Sequence, residues 1–145
     1  MRDALRALIN RYLSAANSAS ASLIAEFGER RLLFAWRQGK IPEYGTLMNG
    51  QTFRFHGIGC RFTGCDSADI DVELTDDGTV AGFDAWRLYH FCRQFPENRE
   101  TFESLVAELR ALADAGELIQ NLSDCPHLFT LPNSNGSSVP SIKVQ

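Results

Sequence analysis

Residues 53–88 read FRFHGIGCRFTGCDSADIDVELTDDGTVAGFDAWRL, and this stretch decides the fold. Phe53 and Phe55 alternate with polar residues, which is typical of a half-buried strand. The segment 69–75 alternates more strictly. It places apolar side chains on one face of a strand and carboxylates on the other: Ile70, Val72 and Leu74 against Asp69, Asp71 and Glu73. Asp77-Gly78 is typical of a tight turn, so the stretch predicts short antiparallel strands.

The flanking sequence predicts helices on both sides of these strands. Upstream, the helical spacing of apolar residues predicts a helix over 3–16 and a second one ending near Gly39, and the small polar run 17–22 is a break or a weak point in one long helix. Downstream, Asp84 is placed to cap a helix over 85–95. The last predicted helix begins at Glu97 or Asn98 and runs to 115. The remaining segments are predicted as strands at 52–56, 60–63, 69–75 and 79–81, a bend at Gly57 and Gly59, and a loop at 43–51.

This order of elements predicts an α+β fold. Nothing alternates strand and helix as a parallel sheet requires. We therefore expect a small antiparallel β-meander of three to four strands, packed against the N-terminal and C-terminal helices. The chain of 145 residues fits one α+β domain over 1–131. Residues 132–145 are rich in Ser, Asn, Gly and Pro and are predicted to form a flexible C-terminal tail.

Charge is distributed unevenly along the chain. Residues 41–84 carry two basic and eight acidic groups, a sum of −6, whereas residues 1–40 carry seven basic and three acidic groups, a sum of +4. An acidic middle repels phosphates, so we expect no nucleic acid as partner and favour a protein with a basic surface. No apolar run approaches the ~18 residues of a membrane span, and charged residues interrupt any signal-peptide pattern at the N-terminus. The expected location is the cytoplasm, with no membrane partner.

The acids of the middle segment are the first candidate site. We predict that five of them bind a partner protein: Asp66, Asp69, Asp71, Glu73 and Asp76. Two other interpretations stay open. A row of carboxylates on one strand face can hold a divalent cation, or it can be the solvated outer face of a sheet. Arg87, at the start of the helix after Asp84, can also face this strand.

A second candidate site combines His56, Cys60 and Cys65. Their spacing, His-x3-Cys-x4-Cys, supplies three possible zinc ligands but lacks a Cys-x-x-Cys pair. The same residues also suggest a nucleophilic Cys60 with His56 as its base, although no third orienting group can be assigned. The competing interpretation is a packed thiol and a structural histidine. We expect no catalytic residues, no metal and no cofactor.

Four motifs resemble a bacterial domain family of unknown function. They are Gly-x-Ile-Pro-x-x-Gly at 39–45, Phe-His-Gly-x-Gly-Cys at 55–60, the acidic-alternating strand at 70–74, and Gly-Phe-Asp-x-Trp-Arg-Leu at 82–88. Small proteins of this kind look like those encoded beside polymorphic toxins, where they serve as immunity proteins. The resemblance implies a non-catalytic protein that binds and neutralises a cognate toxin domain. The alternatives are a metal-dependent or thiol enzyme centred on His56, Cys60 and the acidic strand 69–73, and a subunit that works only as an oligomer.

Overall fold

The computed structural model describes residues 2–28, 31–57, 59–64, 70–75, 77–96, 98–122 and 126–132. Within these ranges the chain forms four helices and seven strands. The helices are α1 (Arg2–Phe27), α2 (Leu32–Arg37), α3 (Ala85–Cys92) and α4 (Phe102–Asp114). The strands are β1 (Tyr44–Thr46), β2 (Thr52–His56), β3 (Gly59–Thr63), β4 (Ile70–Glu73), β5 (Gly82–Asp84), β6 (Ile119–Gln120) and β7 (Leu128–Thr130).

The strands form two antiparallel sheets, which confirms the α+β prediction. The larger sheet has the order β1-β2-β3-β4 and is the predicted meander, and the smaller one has the order β5-β7-β6. The buried apolar side chains of the helices and of both sheets form one cluster. None of the described helices combines the length and the apolar character needed to cross a membrane. Residues 133–145 of the predicted tail lie outside the described residues.

Alternation along the strands of the larger sheet separates a buried inner face from a polar outer face. The inner face carries the apolar side chains Phe53, Phe55, Cys60, Phe62, Ile70 and Val72, which are all buried. The cross-strand register aligns Arg54 with Arg61, and Arg61 with Asp71. These three side chains therefore lie in one row across the outer face.

Helix α1 runs without interruption through residues 17–22, so of the two alternatives predicted for this run, one long helix is the one that forms. The polar residues of α1 instead form hydrogen bonds with the strand and the turn that pack against it. The Tyr12 hydroxyl donates to the carbonyl of Asp71 and accepts from its N–H, at 3.0 and 2.8 Å. The Asn17 side chain donates to the Val80 carbonyl at 3.1 Å and accepts from the Val80 N–H at 3.0 Å. Ser20 donates to the Gly78 carbonyl at 2.5 Å.

Several boundaries differ from the prediction. The expected loop at 43–51 contains the edge strand β1, which pairs with β2. The expected strand at 79–81 is reduced to one bridge between Leu74 and Val80. The backbone N–H and carbonyl of Val80 point away from β4 and bind the Asn17 side chain. Residues 82–84 pair with β7 instead.

The two C-terminal helices begin at capping residues. The Asp84 carboxylate accepts from the Trp86 N–H at 2.8 Å, as predicted, although α3 ends at Cys92 and not at 95. Helix α4 begins after Thr101 rather than at Glu97 or Asn98, because Thr101 and Ser104 form a reciprocal capping box there. Local capping chemistry therefore sets both N-termini.

Candidate functional site

The outer face of the larger sheet gathers most of the described candidate residues. We define the outer sheet face as Arg54, His56, Arg61, Asp71 and Glu73, which alternate with the buried residues of β2, β3 and β4. Two of the five predicted contact acids, Asp71 and Glu73, lie here. Asp66, Asp69 and Asp76 lie outside the described residues, as does Cys65.

Asp71 is the centre of a charge network on this face. One carboxylate oxygen lies 2.5 Å from His56 Nε2, and the other accepts from Arg61 Nη2 at 3.0 Å and lies 3.6 Å from Arg87 Nε. The Asp71 side chain is only 14% exposed, whereas those of His56 and Arg61 are 48% and 41% exposed. The carboxylate therefore holds the partly exposed imidazole of His56 and guanidinium of Arg61 in place. The expected approach of Arg87 to the acidic strand is confirmed.

Gly59 makes room for this arrangement. It lies opposite both His56 on β2 and Glu73 on β4. A Cβ atom at this position would lie 3.1 Å from His56 Cε1 and 2.3 Å from the Val72 carbonyl oxygen. The missing side chain lets the imidazole lie across β3 toward Asp71 and lets β4 approach closely.

Opposing effects act on the pKa of the Asp71 carboxyl. Burial disfavours the charged form and raises the pKa, but the hydrogen bond and charge of His56, followed by those of Arg61, outweigh it. The result is a pKa below the usual aspartate value. Asp71 therefore remains ionised at neutral pH.

This lowered pKa predicts a pH dependence of stability. A carboxyl group with a lower pKa in the folded protein than in the unfolded chain stabilises the fold above about pH 4, and the effect disappears as the pH falls through the folded pKa. We expect the free energy of unfolding, measured with urea between pH 6 and pH 2.5, to fall more steeply for the wild type than for Asp71→Asn. Parallel curves for the two proteins would contradict the network.

Glu73 differs from its neighbour on the strand. Among the described residues, its half-buried carboxylate has no hydrogen-bond or ion-pair partner. Burial raises the pKa of this carboxyl above the usual glutamate value. Glu73 is thus a partly desolvated negative charge that the described part of the fold leaves uncompensated.

The structure does not bring His56 and Cys60 together as a thiol–imidazole pair. His56 lies on the outer face of the sheet, whereas Cys60 is fully buried on the inner face. Burial raises the pKa of the Cys60 thiol, which keeps it protonated. No cluster of three His, Cys, Asp or Glu side chains suited to a metal ion occurs among the described residues.

A family model described as a domain of unknown function (DUF6896) matches residues 5–131. The chain belongs to this family. The match confirms the predicted membership in a family of unknown function, and it includes every residue of the outer sheet face. No curated protein and no solved structure matches the chain. DUF6896 membership therefore identifies the domain without naming an activity.

Sequence reasoning missed the arginines of the outer sheet face. Arg61 lies beside Asp71 of the acidic strand β4, and Arg54, on β2, lies beside Arg61. Arg54 Nη2 also lies 3.7 Å from Glu43 Oε2. Their alternation with Phe53, Phe55 and Phe62 was a usable signal, because it places both arginines on the polar side of their strands. The outer sheet face is therefore mixed in charge rather than purely acidic.

Proposed function

We propose that this protein is an immunity protein, which binds a cognate bacterial toxin domain through the outer sheet face and neutralises it without catalysing a reaction. The carboxylate of Glu73, which no described residue compensates, is the observation that carries the proposal. A half-buried charge without a partner costs stability. Such a group suits a binding site in which the partner supplies the missing cation.

The mixed charge of the face defines the partner more closely. Asp71 is already neutralised by its own chain, so its role is to orient His56, Arg61 and Arg87. Glu73 then receives a lysine or arginine of the toxin, and Arg54 and Arg61 receive hydrogen-bond acceptors or carboxylates beside it. Charged side chains held on strands lose little conformational entropy on binding, which favours affinity.

The bulk charge supports a basic partner. The formal net charge of −4 and the acidic segment 41–84 favour encounter with a positively charged toxin surface and disfavour nucleic acid. We place the protein in the cytoplasm, where a toxin that acts on intracellular targets must be blocked. The proposal includes no cofactor and no membrane partner.

The proposal is tested with the protein encoded by the neighbouring reading frame, which we expect to contain the toxin domain. We expect the wild type to protect cells that express the toxin domain and to form a stoichiometric complex with it. Glu73→Lys should slow association about tenfold at low salt, because it places a positive charge against a positive surface. The matched control is Asp114→Lys, which reverses an exposed acid at the end of α4. Equal association rates for both variants would exclude the outer sheet face as the contact surface. Failure of the wild type to protect the cells would exclude the immunity function.

The same residue allows a separate measurement on the free protein. Because the folded pKa of Glu73 is raised, its stabilising contribution is complete below the unfolded pKa and is lost as the pH rises through the folded pKa. Glu73→Gln should therefore unfold at a higher temperature than the wild type at pH 7, and yet bind the toxin more weakly. A variant that is less stable at pH 7 would show that the carboxylate is compensated within the fold.

A further inference from the structure

The larger sheet has one edge that the described part of the fold leaves open. At the other edge, β4 is closed by the rest of the chain. The Tyr12 hydroxyl binds the N–H and the carbonyl of Asp71, and the Ala81 N–H donates to the Glu73 carbonyl at 3.4 Å. Among the described strands, β1 pairs only with β2. An edge strand of this kind presents unpaired backbone groups, which can pair with a further strand.

The register of β1 shows which of its backbone groups point outward. The Leu47 N–H donates to the Gln51 carbonyl on the β2 side at 2.7 Å. Backbone direction alternates along a strand, so Gly45 also turns its N–H and carbonyl toward β2. The N–H and carbonyl groups of Tyr44 and Thr46 therefore point away from β2.

The open edge is limited at both ends. Pro42 precedes β1 and has no N–H to donate. Beyond β1, the Met48 N–H is bound by the Glu26 carboxylate at 2.6 Å. Between these limits, no described residue binds the outward backbone groups of Tyr44 and Thr46. The unpaired backbone donors of this edge are therefore the N–H groups of Tyr44 and Thr46.

This short edge is complementary to a second copy of itself. When two β1 strands lie antiparallel about a two-fold axis at Gly45, Tyr44 of each copy lies opposite Thr46 of the other. Every outward N–H and carbonyl of these residues then has a partner. The two glycines at the axis carry no side chain that would separate the strands.

The side chains of β1 suit the same pairing. Tyr44 is 70% exposed and lies on the outer side of the sheet, because it is opposite Arg54. In the two-fold arrangement its ring lies beside the β-branched Thr46 of the second copy, and such aromatic–β-branched pairs stabilise antiparallel strands. β1 itself carries no charged side chain, so the two strands do not repel each other.

We propose that the protein forms a reversible homodimer through β1, in which the two larger sheets join into one antiparallel sheet. Assembly stops at the dimer, because β4 at the other edge of each sheet is already closed. A strand of three residues makes an interface below the roughly 1,200 Å² of stable complexes, so association is weak and depends on concentration. Edge pairing extends the outer sheet face without covering it, so the dimer does not depend on the proposed toxin contact.

Sedimentation equilibrium tests the proposal with the full chain. We expect the wild type to change from monomer to dimer with a dissociation constant between about 10 μM and 1 mM. Thr46→Pro removes an outward N–H and leaves the bonds between β1 and β2 in place, so it should weaken dimerisation at least about tenfold. Thr46→Val is the matched control, because it keeps both the N–H and a β-branched side chain and should still dimerise.

Hydrogen exchange tests the same contact in the wild type, without a substitution. The amides of Tyr44 and Thr46 should exchange at least about twofold more slowly at 1 mM than at 10 μM protein, whereas the Gly45 amide, which faces β2, should change less. Tyr44→Pro replaces Thr46→Pro if circular dichroism shows that the latter does not fold.

Three results would overturn the homodimer. They are a wild type that remains monomeric at about 1 mM, a dimer that the proline variants do not weaken, and a dimer in which the Tyr44 and Thr46 amides gain no protection. Protection of these amides only in a complex with another protein would assign the edge to that partner instead, and would equally overturn the proposal.

Discussion

Gly59→Ala is expected to destabilise the protein by about 3 kcal/mol, because the added methyl group meets backbone that cannot move. The new Cβ would lie 2.3 Å from the Val72 carbonyl oxygen. Val72 is held in register opposite Cys60, so relief requires β3 and β4 to separate. The same methyl group would also push His56 away from Asp71. The shift is measured as a lower urea midpoint at unchanged m-value.

Gly57→Ala is the matched control for this substitution. Gly57 has a φ of +52°, and a Cβ there would meet no atom within 4 Å. The only cost is the left-handed backbone conformation, about 1 kcal/mol for a residue with a side chain. If Gly59→Ala were no more destabilising than Gly57→Ala, the close approach of β4 to β3 would be incorrect.

Asn17→Ala is expected to cost about 2 kcal/mol, because it leaves a buried N–H and a buried carbonyl without their partner. Both groups belong to Val80, which is fully buried and bound by Asn17 from across the core. The gain in helix propensity on replacing asparagine by alanine, about 0.5 kcal/mol, offsets only part of this cost. Thermal unfolding should show a midpoint lower by several degrees.

Ser22→Ala supplies the comparison within the same helix. The Ser22 hydroxyl forms an exposed hydrogen bond, in which it donates to the Ser18 carbonyl one turn earlier at 3.2 Å. We expect its removal to change stability by less than about 0.5 kcal/mol. Asn17→Asp gives a further check, since it keeps an acceptor for the Val80 N–H but places a carboxylate against the Val80 carbonyl. A stable Asn17→Asp variant would show that the donor contact is dispensable.

The parts of the fold that could be predicted are those whose signals and partners are close in sequence. Asp84 signals the start of α3 through a local hydrogen bond, and the alternation of β4 is visible in four consecutive residues. Asn17 and Ser20 belong to a small polar run that can be read as a helix break. Their hydrogen-bond partners lie far away in the sequence, so the run does not reveal that these side chains hold the helix against the rest of the fold. Their bonds to Val80 and Gly78 span 63 and 58 residues.

The sequence did not predict β6 and β7 for a related reason. β6 and β7 contain only two and three residues, which is too short for a period of alternation to appear. These short segments form strands because β7 pairs with β5 on one side and with β6 on the other. That arrangement is a property of the assembled fold and leaves no mark on the isolated segments.

The candidate site was predictable in part. Alternation placed Asp71 and Glu73 on the outer face, as the structure has them. The contrast between them was not visible, because it depends on the register that brings Arg61 beside Asp71 and His56 across Gly59. Two carboxylates that are equivalent in the sequence therefore differ in the folded chain. Asp71 holds its neighbours in place, and Glu73 has no partner among the residues that the structure describes.

Helix α1 has a consequence for synthesis on the ribosome. Its Arg6 binds Glu117 through two hydrogen bonds of 2.7 Å, across 111 residues of sequence. At roughly 5–20 residues per second, about 6 to 22 s pass between the translation of these two residues. The apolar stripe of the nascent helix lacks its full cover until β4, α3 and α4 have been translated. Chaperones that recognise exposed hydrophobic segments have this time to bind it, so the yield of native protein should depend on translation speed.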